Sequence, residues 1–250
     1  MIIDNLENKR KILAKFLEIC AFEGINEEIL EKSMESCEIP VKFKNLIFEN
    51  GVLSLVDFYI DEIIENLAKN IEKRQDFSNF KIRDKIKFAL RDIFDQQKNH
   101  QIAAQRLRNF YFDLSNFKNK NYGARPTLFA FRNAFKVSSQ IWYLIGDKST
   151  DYNFYTKRLI LAKIISRSFL VFVKDDSSNF EKTNKFIDSQ IENVMKFEKF
   201  KAKIKSFSQK SQSEICDLKE KLSDFFVDEK GKSRQASDII KNLPFIRLFY

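Results

Sequence analysis

Apolar residues recur along this chain at helical spacing, and no stretch alternates apolar and polar positions over a useful strand length. Leu6, Ile12, Leu13, Phe16, Leu17 and Cys20 fall on one helical face, with Gly24 following as a C-cap. Asn26 is placed to start a second, short helix, with Glu27 and Glu28 in the first turn, where the helix dipole favours acids. Ile39-Pro40 breaks the chain, Val41 to Phe48 is short and apolar-basic, and Gly51 precedes a long helix through Leu55, Tyr59, Ile63 and Leu67. A polar linker, Gln75 to Asn79, leads to amphipathic helices over Ile82 to Phe94 and Ile102 to Leu114. Ser115 to Pro126 is the clearest loop. Thr127 to Ile145 reads as helix, stopped by Gly146, and Ser149 or Thr150 caps the next. From Leu159 to Val173 that helix is apolar on almost every face, which predicts a central helix covered all round. Asp175-Asp176-Ser177 ends it. Ser178-Asn179-Phe180-Glu181 has the pattern of a capping box, opening a helix that carries Ile187, Ile191, Val194 and Phe197.

Beyond Phe200 the composition turns basic and polar. Ser211 to Glu214 is placed to cap a short helix, Asp228 to Ser233 forms a solvated hinge, and the last residues, from Asp238, are strongly apolar. The pattern predicts an all-α protein in three parts: N-terminal helices over 1–75, a helical domain over 76–200, and a basic hinge with an amphipathic tail over 201–250.

Composition sharpens this. Gly is 5 and Pro is 3, so few turns can be built and the helices must be long. Phe is 27, which makes the core aromatic as well as aliphatic. The net charge of +9 suits an anionic partner, although the chain uses lysine everywhere and charge alone is unspecific. Cys20, Cys37 and Cys216 show neither metal spacing nor a CxxC pattern and read as buried or free thiols in a reducing compartment. His100, the one histidine, has no nucleophile or carboxylate placed beside it, and reads as a solvated residue at a helix start. No metal site, cofactor site or catalytic constellation is expected. The start of the chain has no signal-peptide character, and Leu159 to Val173, broken by Lys163 and Arg167, is too short and charged to span a bilayer. A soluble or peripheral protein is the expectation.

A three-helix start followed by a long helical domain resembles the TetR repressors, as does Lys11-Ile-Leu-Ala-Lys-Phe-Leu-Glu-Ile-Cys-Ala-Phe-Glu-Gly24-Ile. A repressor then needs a recognition helix with polar side chains aimed at base edges. Ile39 to Phe48 holds that place. Lys42 and Lys44 could touch phosphate, but no Arg or Gln is set up for base reading. The helix-turn-helix is therefore read as degenerate, with no nucleic-acid partner. A repressor with a hydrophobic inducer is the rival reading.

The densest polar cluster is Gly146-Asp147-Lys148-Ser149-Thr150-Asp151-Tyr152-Asn153-Phe154-Tyr155-Thr156-Lys157-Arg158. With Asp175-Asp176-Ser177 and Ile191-Glu192-Asn193-Val194-Met195-Lys196-Phe197-Glu198, it resembles the C-terminal domain of the ubiquinone-biosynthesis accessory proteins, the ninth coenzyme Q protein family. The resemblance implies a TetR-like, non-enzymatic lipid-binding protein, a homodimer peripheral on a membrane surface. It implies a pocket for an isoprenoid quinone intermediate or a phospholipid, and a patch that docks the di-iron demethoxyubiquinone hydroxylase. It places the protein in the cytoplasm, peripheral on a bacterial inner membrane. Where the family usually has Trp, this chain has Phe154, which keeps the ring and lacks the N–H donor.

On that reading Asp147, Thr150, Asp151, Phe154, Tyr155 and Lys157 form the docking patch, with Phe154 an exposed anchor. Arg158 would bind a lipid phosphate at the mouth of a pocket lined by Trp142, Ile145, Leu159, Ala162, Ile165 and Phe169. Such apolar rows also make ordinary core, and Asp147 or Asp151 could serve a surface ion-pair network that only joins two helices. Ile239, Ile240, Leu243, Phe245, Ile246 and Phe249, flanked by Lys241 and Arg247, suit an interfacial helix on an anionic leaflet; the alternative is that they fold back on the protein.

Overall fold

A computed structural model describes residues 6–112, 125–150 and 152–207. Among them there are helices and turns and no strand, as the apolar spacing requires. The helices are α1 (Leu6–Glu23), α2 (Glu27–Ser36), α3 (Lys44–Ile47), α4 (Val52–Lys73), α5 (Ile82–Gln96), α6 (Gln101–Phe112), α7 (Arg125–Leu144), α8 (Tyr152–Phe172) and α9 (Glu181–Phe207). Asp151, the tail residues Ile239 to Phe249, Cys216 and the short helix expected at Ser211 lie outside the described residues. The residues up to Glu192 form one compact unit. The packing below concerns that unit.

The punctuation marks act where the sequence puts them. Gly24 ends α1 with φ +93° and donates its N–H to the Cys20 carbonyl at 3.0 Å. The Asn26 side chain accepts the Ile29 N–H at 2.9 Å and caps α2. α9 runs on to Phe207, past the change of composition at Phe200, because the Lys, Ala and Ile residues there are adequate helix formers.

α1 packs on α2, α4 and α6, and α4 packs in turn on α5 and α7. Ile12, Phe16, Cys20, Leu30, Phe48 and Leu55 are buried in one cluster with Leu107 and Phe110 of α6 and Phe129 of α7. The N-terminal helices and the helical domain therefore share a core. Burying each such side chain contributes about 1.5–3 kcal/mol. Burial of the Cys20 thiol also pushes its pKa up to about 12, which makes it inert packing. α7 and α8 form the most extensive helix pair.

α3 is four residues long. Its Lys44 ammonium contacts Glu31 at 2.6 Å and Glu27 at 3.4 Å, while Glu27 also accepts the Val52 N–H at 3.0 Å. The lysine that was expected to be available for phosphate is thus committed to two carboxylates, and Leu46 is exposed beside it.

Two expectations need correction. α8 is not covered all round: Arg158, Leu161, Ala162, Ile165, Ser168 and Phe172 are buried, but Tyr155, Lys163, Ser166 and Leu170 leave an exposed stripe. An apolar run fixes how much a helix can bury, not how many neighbours reach it. Ser178 does not cap α9 either. Asn179 and Phe180 both take left-handed backbone (φ +53°), which moves the cap upstream. The Ser177 hydroxyl accepts the Lys182 N–H at 3.1 Å, and the Asp175 carboxylate accepts the Thr183 N–H at 2.7 Å. Burial pushes the Asp175 pKa up, but bonds from Ser177 and Thr183 outweigh it and hold it down. Across the same junction Gln101 of α6 donates to the carbonyl of Phe172, the last residue of α8, and Gln105 to that of Val173 just past it, at 2.7 Å each.

Candidate functional site

The elbow between α7 and α8 is built from its hydrogen bonds upward. Gly146 (φ +85°) donates to the Tyr143 carbonyl at 3.0 Å, and Asp147 donates its N–H to the Trp142 carbonyl at 2.9 Å. These are the paired bonds of a Schellman turn, which only a residue tolerant of positive φ completes cheaply.

The turn delivers the Asp147 side chain, 7% exposed, to the base of α8. Its Oδ1 accepts from the Ser149 hydroxyl at 2.6 Å and from Lys157 Nζ at 2.8 Å. Its Oδ2 accepts from Arg158 Nη1 at 3.3 Å. Burial alone would push this carboxyl up. The hydrogen bond and charge of Lys157, with Ser149 and Arg158, outweigh burial and hold its pKa at about 2. Lys157 also lies over the Trp142 ring at 5.3 Å, and Trp142 Nε1 donates to the Lys157 carbonyl at 3.2 Å. The Ser138 hydroxyl donates to the Arg158 carbonyl at 2.8 Å. Apart from the Ser149–Asp147 bond, which stays within the turn, each contact crosses from α7 or the turn to α8, so the elbow is fastened at several points.

Arg158 is placed otherwise than a phosphate ligand at an open mouth would be. Its side chain is 5% exposed. Besides Asp147, its Nη1 donates to the Phe154 carbonyl at 3.0 Å, and the guanidinium stacks 3.4 Å from the Phe154 ring centroid. Its position one turn past Phe154, beside the buried carboxylate, makes it the elbow's internal clamp. Phe154 is correspondingly half-buried rather than the exposed anchor expected from the sequence. Among the described side chains of the elbow, the exposed aromatics are Tyr155, whose ring meets Phe154 edge-on at 5.1 Å, and Tyr143, 75% exposed. Lys148 and Thr150 are exposed with them, Lys157 is half-buried, and Asp151 is not described. Tyr143 was missed because it sits within an apolar run, where periodicity alone does not separate an outward from an inward ring.

Of the residues expected to line a lipid pocket, Trp142, Ala162 and Ile165 are buried and Ile145, Leu159 and Phe169 are half-buried. They lie on or beside α7 and α8, the most extensive helix pair. Neither of the two cavities described lies among them. One, of about 20 Å³, sits in the N-terminal core beside Cys20 and Tyr59 and is too small for a ligand. The other, of about 480 Å³, lies between α5 and the start of α9. Among the described residues no helix is long and apolar enough to cross a membrane.

Residues 128–198, from the first turn of α7 into α9, match the COQ9 family model. The chain is 24% identical over 201 residues to the probable ubiquinone biosynthesis protein coq9, mitochondrial, of Dictyostelium discoideum, covering 78% of this chain and 62% of that protein. It is 44% identical over 55 residues to the ubiquinone biosynthesis protein COQ9, mitochondrial, of Rattus norvegicus, covering 22% of this chain and 18% of that protein. The corresponding protein of Schizosaccharomyces pombe is 41% identical over 59 residues, 24% of each chain. The chain thus spans less than two thirds of the relatives it matches. The resemblance read from residues 142–198 is borne out, and the α7–α8 elbow lies within the matched segment.

Proposed function

We propose that this chain, a COQ9 family protein by its residues 128–198, serves ubiquinone biosynthesis as a non-enzymatic accessory protein that presents a polyprenyl quinone intermediate to the di-iron demethoxyubiquinone hydroxylase. The observation that carries the reading is that the family match falls on a hairpin whose elbow is fastened inside and aromatic outside. A rigid mount for Tyr143 and Tyr155 keeps the entropy cost of docking low, and exposed tyrosines beside a lysine are favoured at protein interfaces. Of the described carboxylates, Asp147 at the elbow is held ionised between two cations, and Asp175, past the other end of α8, caps α9; neither is poised for proton transfer.

Lipid handling follows from cost. A polyprenyl tail drawn from a bilayer exposes apolar area at about 25 cal/mol per Å², and an apolar seat removes that penalty. The half-buried row of Ile145, Leu159 and Phe169 along α7–α8 is the proposed seat, which opens by parting these side chains; a phospholipid is the other cargo of the same chemistry. Membrane contact is assigned to Ile239, Ile240, Leu243, Phe245, Ile246 and Phe249, on a peripheral protein of a bacterial inner membrane, acting as a homodimer.

The test pairs capture with extraction. Tyr143→Ala combined with Tyr155→Ala should abolish capture of the hydroxylase while the helical circular dichroism is unchanged. Undiminished capture removes the elbow from the interface. Mass spectrometry of organic extracts from the natively purified protein should find a stoichiometric isoprenoid or phospholipid, and a lipid-free protein overturns the carrier role.

A further inference from the structure

The cavity of about 480 Å³ between α5 and the first turn of α9 is of ligand size and stands apart from the elbow. Phe80, Phe88, Phe94 and Phe180 give it aromatic walls. Three cations line it, and two are already committed: Arg91 Nη2 contacts both Asp188 oxygens, at 2.8 and 2.7 Å, and Lys87 reaches the same carboxylate at 3.2 Å. The third is Arg74. Its guanidinium lies 4.8 Å from the Phe80 ring centroid and 4.9 Å from that of Phe88. Its Nε donates to Asp76, which is not part of the lining, at 3.0 Å. Among the described residues its two terminal nitrogens have no acceptor.

The acids of the lining are each answered. Asp92 accepts from Asn70 at 2.8 Å and Gln96 at 2.6 Å, Asp84 lies 3.5 Å from Arg83, and Asp95 lies 3.4 Å from Lys98. The open valence of the cavity is thus a guanidinium fork mounted on two phenyl faces. One wall is formed by Asn179 and Phe180 in consecutive left-handed backbone, with the Phe180 ring 5.1 Å from Phe172. Backbone of that kind persists where the surroundings over-determine it, and ligand sites are where it gathers.

We propose that this cavity binds a small aromatic carboxylate, its acid group on the Arg74 fork and its ring against Phe80 and Phe88. A guanidinium edge matches a carboxylate with two parallel N–H donors, and flat apolar walls favour a planar body. The site is independent of hydroxylase docking at the elbow, so neither result decides the other.

The probe is 1-naphthoate, titrated by its fluorescence against the full chain, with neutral 1-naphthalenemethanol as the comparison. The acid should bind at least about tenfold more tightly than the alcohol, the scale of a charge-assisted bidentate contact. Arg74→Gln should erase that difference while the far-ultraviolet circular dichroism is retained. Equal binding of acid and alcohol, absence of binding at millimolar acid, or an Arg74→Gln protein that still prefers the acid overturns the proposal. Should Arg74→Gln fail to fold, the acid-against-alcohol comparison on the unaltered protein decides by itself.

Discussion

Asp147→Asn isolates the charge at the centre of the elbow. Asparagine keeps the shape and one acceptor for Ser149, but it leaves Arg158, 5% exposed, without its anion. Two routes give the magnitude. The drop of the Asp147 pKa from 3.8 to about 2 corresponds to about 2 kcal/mol of preference for the ionised form in the folded state. Removing one partner of a fully buried ion pair costs roughly 3–5 kcal/mol. Arg158 retains the Phe154 carbonyl and ring, and Lys157 is half-exposed and can turn to water, so the lower figure applies. The variant should lose about 2 kcal/mol in urea unfolding followed by circular dichroism at neutral pH. The pH dependence carries the sign. A carboxyl depressed in the folded state contributes fully above its unfolded value near 3.8, and the contribution fades as pH falls toward 2. The gap between parent and variant should therefore be constant from pH 7 to about 5 and close between pH 4 and pH 2. A variant as stable as the parent at pH 7, or a gap that widens on acidification, would refute the assignment of Asp147 as the elbow's electrostatic centre.

Phe154→Ala removes the ring under Arg158, and should cost about 1–3 kcal/mol in the same unfolding assay; a docking-only residue would leave stability unchanged. Gly51→Ala places a Cβ 2.3 Å from the Glu27 carboxylate at a φ of +56°. It should lower stability by about 1–3 kcal/mol, because relief of the clash sacrifices the Glu27 bond to Val52 and its contact with Lys44. An unaltered urea midpoint would mean the Glu27 cap contributes nothing. Asp175→Ala should cost about 1–2 kcal/mol and loosen the first turn of α9, read as faster amide exchange at Thr183 than in the parent; equal exchange would remove Asp175 as the cap.

Residues with a local conformational job were legible in the sequence. Gly24, Asn26, Gly51 and Gly146 mark helix ends because their preferences act within a few residues. Partner choice was not. Asp147 had Lys148, Lys157 and Arg158 within reach, and only the Schellman turn decides that it faces the last two. The Ser178 capping box failed because two left-handed residues intervene, a conformation that Asn179 tolerates but Phe180 does not advertise. The exposed stripe of α8 was hidden for a different reason: hydrophobic content is a property of one helix, whereas coverage depends on its neighbours. The cavity at Arg74 had no sequence signal, since its walls come from positions about a hundred residues apart.

The core shared by α1, α2, α4, α6 and α7 has an evolutionary corollary. A helical start remote from the α7–α8 elbow would ordinarily be free to erode or be shed. Here Phe16, Leu30 and Phe48 share a cluster with Leu107 and Phe129, so substitutions in the first fifty residues are screened by the integrity of α6 and α7. Selection on the elbow is thereby also selection on the amino terminus, and the two must be inherited together.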